Sequence, residues 1–320
     1  MSGQQKLKIG LALGSGSARG MAHVGIMEEL ETIGIRPDII CGSSVGSIVG
    51  ATFILGKLPE FTSWVSGLSR ADIFRYMDVR LAAGGGFAHG RRLMEHLSTS
   101  LGNPRIEHVR PAFAAIATDL SSGREIWLTE GPIWEAVRAS IALPGMLSPV
   151  TRDGRWLVDG GVVNPVPVSV CRALGAEIII AVNLNGDLIG RHSQPRKDTP
   201  APANHTATTE GPQHKVEVDF LERMSSNFKL RTQPLLEQWL SRDRQVPGIF
   251  DVMAASINIM QDRITRSRLA GEPADVMLNP RLSSIGLLDL DRAAEAIEEG
   301  RSCVQRNREH LEQIILNTVR

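Results

Sequence analysis

The chain has 320 residues, 42% hydrophobic and 22% charged, enough apolar material for a sizeable core in one large domain or two small ones. Lysine plus arginine and aspartate plus glutamate stand at 35 each, so no net field recruits nucleic acid or an anionic membrane. The opening MSGQQKLKIG lacks an apolar run after its lysines, and no stretch approaches the ~18 uninterrupted apolar residues of a membrane span, so a cytoplasmic protein is expected.

In chain order, KLKIGLAL (6–13) reads as a strand. Residues 18–33 follow as a helix, with Met21, Val24, Met27, Leu30 and Ile33 at near-threefold spacing until Gly34 stops it. PDIICG (37–42) is a second strand and SVGSIVGATFIL (44–55) a second helix. The stretch 58–87 concentrates Phe, Trp, Leu and Met in short helices, which read either as ordinary helical packing of the domain or as the wall of an apolar groove with Gly84, Gly85 and Gly86 as its hinge. Further apolar strands are expected at 111–118, 124–128, 155–158 and 176–183, and helices at 132–140 and 165–174. Between Gly186 and about Val216 the pattern dissolves into a polar stretch with little to bury, expected to be a mobile insert. Helices resume at 217–240 and 249–269, a short strand falls at 274–278, and one last helix spans 289–317. Strands apolar on both faces and alternating with helices predict an α/β fold, a mostly parallel central sheet covered by helices on both faces. The expected organisation is a core over 7–185, the insert over 186–216, and a helix-strand-helix completion of the same domain over 217–320.

Cys41, Cys171 and Cys303 are odd in number and lack the paired spacing of a zinc site or a disulfide framework, so they read as small buried hydrophobes.

LALGSGSARGMAHVG (11–25) joins a strand to a helix through a glycine-bearing turn. Such a turn offers free backbone N–H groups at the positive end of a helix dipole and suits a phosphate or an oxyanion. Dinucleotide binding is the first alternative. Its G-x-G-x-x-G fingerprint needs glycine at 14, 16 and 19, but position 19 is Arg; shifted by one, it meets Ser15 and Ser17. The ribose-binding acid expected after the second strand is also missing, since Cys41, Gly42 and Ser43 stand there.

Gly42-Ser43-Ser44-Val45-Gly46 is a G-x-S-x-G between a strand and a helix, the context of a nucleophile elbow with Ser44 at its centre. Ser43 and Ser47 fit packing or capping. The histidines do not supply a base in the expected order. His23 lies inside the first helix, where it suits packing or hydrogen bonding, and His89, His96 and His108 precede any candidate acid. His192, His205 and His214 fall in the insert and His310 in the last helix. Asp159, by contrast, ends a strand and is followed by Gly160 and Gly161, which read either as a simple turn or as a loop that lets backbone approach another loop closely.

GSGSARG (14–20), GSSVG (42–46) and DGG (159–161), in that order, resemble the three signature blocks of the patatin-like phospholipases, especially bacterial members similar to the catalytic domain of neuropathy target esterase. ATDLSSG (117–123) and ASIALPG (139–145) resemble the blocks between them, so the likeness runs from about residue 7 to residue 185. It implies a three-layer α/β/α fold and a serine acyl hydrolase acting on lipid or lysophospholipid esters. Ser44 would be the nucleophile and Asp159 the general base, with an acyl-enzyme intermediate and no metal or cofactor. It also implies an oxyanion hole from the N–H groups of Gly16, Ser17 and Ala18, a position where a branch at Gly16 would forbid positive φ and crowd the carbonyl. Gly14, Arg19, Gly20, Gly42, Gly46, Gly160 and Gly161 would support these loops, with Arg19 either bracing carbonyls or a carboxylate or standing as a plain solvated arginine. Ser15 and Ser17 depart from the family's usual glycines. The implied partner is a lipid ester, with peripheral contact at the inner face of a membrane and no nucleic acid. A catalytically weak regulatory or adaptor protein on the same fold is the competing expectation.

Overall fold

A computed structural model describes residues 7–78, 88–187 and 249–318. The expected hinge at Gly84–Gly86, nearly all of the insert, and the expected helix over 217–240 lie outside these residues. The chain divides into two compact units, one of residues 1–192 with 257–320 and the other of 193–256.

The first unit is built on a sheet in which β1 (Ile9–Leu13), β2 (Ile39–Ser43), β3 (Ala112–Asp119), β7 (Ile178–Val182) and β8 (Val276–Leu278) run parallel in the order β8-β7-β1-β2-β3. Successive strand residues alternate between two cores. Leu11, Leu13, Ile40, Phe113, Ala115, Ile180 and Val182 pack on one face, and Ala12, Ile39, Cys41, Ala114, Ile116, Ile179 and Ala181 on the other. The first face is covered by α1 (Ala22–Thr32), α2 (Val45–Ile54), α6 (Ile133–Ser140) and α9 (Ala293–Arg306), the second by α7 (Val168–Ala173) with Leu269 near the end of α8 (Ile249–Gly271). The three-layer α/β/α arrangement is therefore the architecture of this chain.

The polarity of the sheet breaks at β3. Its far edge pairs antiparallel with β4 (Glu125–Leu128), whose partners run from Ala115 to Thr118. The near edge pairs with β2 as far as Ile116, opposite Ser43, and from Ala117 onward with the antiparallel β6 (Arg155–Asp159). Residues 115–116 carry both β2 and β4 as partners, and residues 117–118 carry both β4 and β6. Because a strand has only two edges, β2 and β6 share one edge and meet end to end along β3. Ser43 sits opposite Ile116 and Asp159 opposite the next residue, Ala117. β6 also forms a hairpin with β5 (Val150–Arg152) through Asp153 and Gly154, both at positive φ.

Three elements depart from the sequence expectation. The strand β5 is short and half exposed, and so gives no apolar signal. The last helix is two, α9 and α10 (Arg308–Thr318), interrupted at Asn307, whose side chain donates to the Cys303 carbonyl at 2.8 Å. The remaining helices are α3 (Leu58–Ser66), α4 (Arg70–Met77) and the unanticipated α5 (Arg91–Leu101). The ring of Trp64 packs against Phe61, Tyr76 and His96 at centroid distances of 4.9 to 5.7 Å, so these aromatics serve one another as a small core. Cys41, Cys171 and Cys303 are free and buried. Among the described residues no helix is long and apolar enough to cross a membrane.

Candidate active site

Ser44 stands between β2 and α2 with φ 55° and ψ −126°, outside the ordinary regions for a residue with a side chain. Such backbone is held only where the surroundings fix it, and here the fixing groups are identifiable. The Ser44 N–H donates to Ser140 Oγ at 3.0 Å, and the Ser44 carbonyl accepts from Ser47 Oγ at 2.6 Å. Gly42 and Gly46 leave no alternative side chain. A Cβ at Gly42 would lie 2.5 Å from the Ser47 backbone, and one at Gly46 would collide with the Leu13 carbonyl. The elbow is packed directly on the end of β1.

Asp159 is fully buried at the end of β6, and Ser44 retains 8% of its exposure. Ser44 Oγ donates to Asp159 Oδ2 at 2.6 Å, while Asp159 Oδ1 accepts from the Gly161 N–H at 2.7 Å. Thr118 Oγ1 donates to the Asp159 carbonyl at 2.8 Å, and the Asp159 N–H donates to the Ala142 carbonyl at 3.0 Å, so backbone and carboxylate are both fixed. Burial pushes the Asp159 carboxyl up to about 6, although the bonds from Ser44 and Gly161 pull the other way. The carboxylate is thus a stronger base than a solvated one and still ionised at neutral pH. Gly160 abuts the Ile116 carbonyl and Ser43 Oγ, which brings the D-G-G turn against the elbow.

The loop after β1 lies beside both. Gly14 N–H donates to the Val182 carbonyl and Ser15 N–H to the Pro165 carbonyl, so Ser15's amide is committed to the segment that follows the D-G-G turn. Gly16 has φ 167°, which is extended backbone; the left-handed residue is Ser17, at φ 49°. What excludes a side chain at Gly16 is Leu184, whose Cδ1 would be 2.7 Å from a Cβ there. The expectation of a positive φ at Gly16 is therefore corrected. Ser17 begins a 3-10 turn, Ser17–Met21, where the leading N–H groups have no intrahelical partner. The expectation for Ala18 is corrected too, because its N–H is already donated to the Leu287 carbonyl at 3.1 Å. The N–H groups of Gly16 and Ser17 remain without a hydrogen bond among the described residues.

Arg19 is buried, and its guanidinium, pushed down to about 10 by desolvation, reaches no carboxylate among the described residues. Its Nε donates to the Gly16 carbonyl and its Nη2 to Asn258 Oδ1 at 2.7 Å, a brace between the loop and α8. Asn258 gave no signal in the sequence, where α8 reads only as a helix. Gly20 packs its bare Cα against Val45. His23 Nε2 lies 2.8 Å from the Gly14 carbonyl, and burial pushes its imidazole down to about 4. A neutral ring in that place donates to the carbonyl, and so serves the loop's shape. His89 is bonded to Ser148 Oγ. Among the described residues no group of three or more His, Cys, Asp and Glu side chains is placed to hold a metal ion.

A profile of the patatin-like phospholipases matches residues 11–172, about half of the chain, from β1 through the elbow to the D-G-G loop. An uncharacterized protein of the neuropathy target esterase family in Mycobacterium tuberculosis is 32% identical over 329 aligned residues, covering 94% of this chain and 91% of its own. A lysophospholipase of Yarrowia lipolytica is 35% identical over 58% of this chain and 13% of its own length. Among solved structures, VipD from Legionella pneumophila aligns with 97% of this chain and 67% of its own at a TM-score of 0.43 and 12% identity, a likeness too loose to support an inference. The profile match and the long mycobacterial alignment show the family: this chain belongs to the patatin-like phospholipases and is an enzyme of the lipid ester hydrolase class.

Proposed function

We propose that the protein is a serine acyl hydrolase that cleaves fatty acyl esters of lysophospholipids or related lipids through Ser44 and Asp159, by way of an acyl-enzyme on Ser44. The observation that carries this reading is the 2.6 Å hydrogen bond from Ser44 Oγ to a buried carboxylate whose pKa is raised to about 6. A hydroxyl so placed loses its proton to Asp159 as it attacks the ester carbonyl. Negative charge then develops on the carbonyl oxygen, within the field of the N–H groups of Gly16 and Ser17, unpaired among the described residues, at the start of a helical turn. Asp159 returns the proton to the departing alcohol, water enters, and the same carboxylate takes the water's proton while the fatty acid leaves.

No imidazole is required. His23 beside the loop is bonded to a backbone carbonyl, and Asp159 contacts Ser44 directly. The lysophospholipid class rests on the fungal relatives' names and the family's chemistry, and peripheral contact with a lipid surface belongs to the same reading. The test is fatty acid release from lysophosphatidylcholine and from p-nitrophenyl butyrate, comparing the protein with Asp159→Asn. Loss of at least ~100-fold in both assays is expected for a positioned general base. Equal rates in the two proteins would overturn the reading.

A further inference from the structure

The strand order reverses at β1, whose neighbours are β2 on one side and β7 on the other, so a crevice opens at the carboxyl ends of β1 and β7. Ser15 projects from the first end and Asn185 from the second, and both are almost fully buried. Among the described residues Ser15 Oγ has no hydrogen-bond partner, and neither has Asn185 Oδ1. Two orphaned polar atoms in one crevice are costly unless a small polar molecule completes them. Gln261, also buried, reaches in from α8, its Oε1 accepting from Asn185 Nδ2 at 3.1 Å, which leaves its amide nitrogen to face Gly161.

The convergence is sharp. A methyl group built on Gly161 would lie 2.5 Å from Gln261 Nε2, 2.9 Å from Ser15 Oγ and 3.0 Å from Asp159 Oδ1. A donor, a hydroxyl and a carboxylate oxygen therefore crowd the same bare face of Gly161 and lie close to one another. Ser44 occupies the other oxygen of the same carboxylate.

We propose that Ser15 and Gln261, the latter held by Asn185, form a niche beside Asp159 that holds the hydrolytic water. This rests on the acyl-enzyme reading above. In the step it serves, the water gives a proton to the Asp159 carboxylate and its oxygen bonds to the acyl carbon. The carbon–Oγ bond to Ser44 then breaks, Oγ recovers the proton from Asp159, and the fatty acid departs. The niche acts after acylation, so its loss alters which nucleophile takes the acyl group. Its members sit after β1, after β7 and on α8, and Gln261 lies outside the segment matched by the family profile.

The test is product partition. Ser15→Ala and Gln261→Met are compared with the parent on p-nitrophenyl butyrate at fixed methanol, with methyl butyrate and butyrate quantified and acyl-Ser44 followed by intact mass. The Ser15 hydroxyl has no partner to lose among the described residues, so the fold of Ser15→Ala stays intact, as a melting curve checks. Because the ratio of methyl ester to acid is set after acylation, it is independent of which step limits the rate. The expected result is a rise in that ratio of about five- to tenfold in each variant, the value of one hydrogen bond lost to water. An unchanged ratio in Ser15→Ala overturns the niche, as does equal slowing of both products. If the parent forms neither methyl ester nor an adduct on Ser44, the acyl-enzyme reading itself fails, and that outcome is distinct from the other two.

Discussion

The carbonyl oxygen of Gly16 is held twice by Arg19, by its backbone N–H at 3.2 Å and by its Nε at 3.3 Å. In a trans peptide the C=O and N–H point in opposite directions, so fixing the Gly16 carbonyl aims the N–H of Ser17 away from Arg19. Arg19 is thus a positioning residue for the proposed oxyanion donor, itself anchored on Asn258. Arg19→Met is expected to lower kcat by roughly 10- to 100-fold, part of the cost of losing one such donor, with KM nearly unchanged. Steady-state kinetics on a soluble ester decide this, and an unaltered kcat would separate Arg19 from the donor.

Asp159, the proposed base, sets the expected pH dependence. The base form is needed, and its carboxyl titrates near 6, so kcat/KM should rise with pH through about 6 and then level off. His23, pushed down to about 4, adds no limb in that range. A pH–rate profile with its acid limb near the ordinary carboxylate value of ~4 would show that burial does not govern the base.

The same shift has a stability sign. Asp159 is protonated more readily in the folded chain, near 6, than at the ordinary 3.8, so the folded state is penalised fully above pH 6 and not at all below pH 3.8. Two pKa units correspond to roughly 3 kcal/mol. Asp159→Asn removes the ionisation while keeping an acceptor for the Gly161 N–H. Its melting temperature should exceed the parent's at pH 8, by an amount that shrinks to nothing near pH 4. A variant less stable than the parent at pH 8 contradicts this.

Gly16 and Ser17 should respond oppositely to substitution. Gly16→Val drives a branched side chain into Leu184 at the turn that carries the donors, and turnover should fall by roughly 2 to 3 orders of magnitude. Ser17→Gly keeps the N–H and suits a φ of 49°, so activity should stay within about tenfold. Circular dichroism confirms that each is folded. A folded, fully active Gly16→Val would remove this loop from the chemistry.

The parallel strands were legible because each is apolar on both faces, and the elbow and the D-G-G loop because small residues mark where backbone must meet backbone. What joins them was not. That β6 runs antiparallel and completes the edge of β3 where β2 stops depends on pairing between Ala117 and Asp159, which no local pattern encodes. The polar edge of the site was also hidden. Asn258 and Gln261 lie 239 residues from Arg19 and 76 from Asn185 respectively, on a helix whose polar positions look like a solvated face until the partners are known. Ala18 looked like a third free donor because its partner, Leu287, comes from a distant turn. The helix α5 carries Leu93, Met94, Leu97 and Leu101 at helical spacing between Gly90 and Gly102, a signal that was present and outweighed by its charged and hydroxyl residues.

The account turns on Ser44 being the nucleophile, and a fluorophosphonate probe reads that directly. Peptide mass after labelling should place one adduct on Ser44, absent from Ser44→Ala and slowed at least ~100-fold in Asp159→Asn, with both variants folded. An adduct mapped to Ser43 or Ser47, or undiminished labelling of Ser44→Ala, would contradict it.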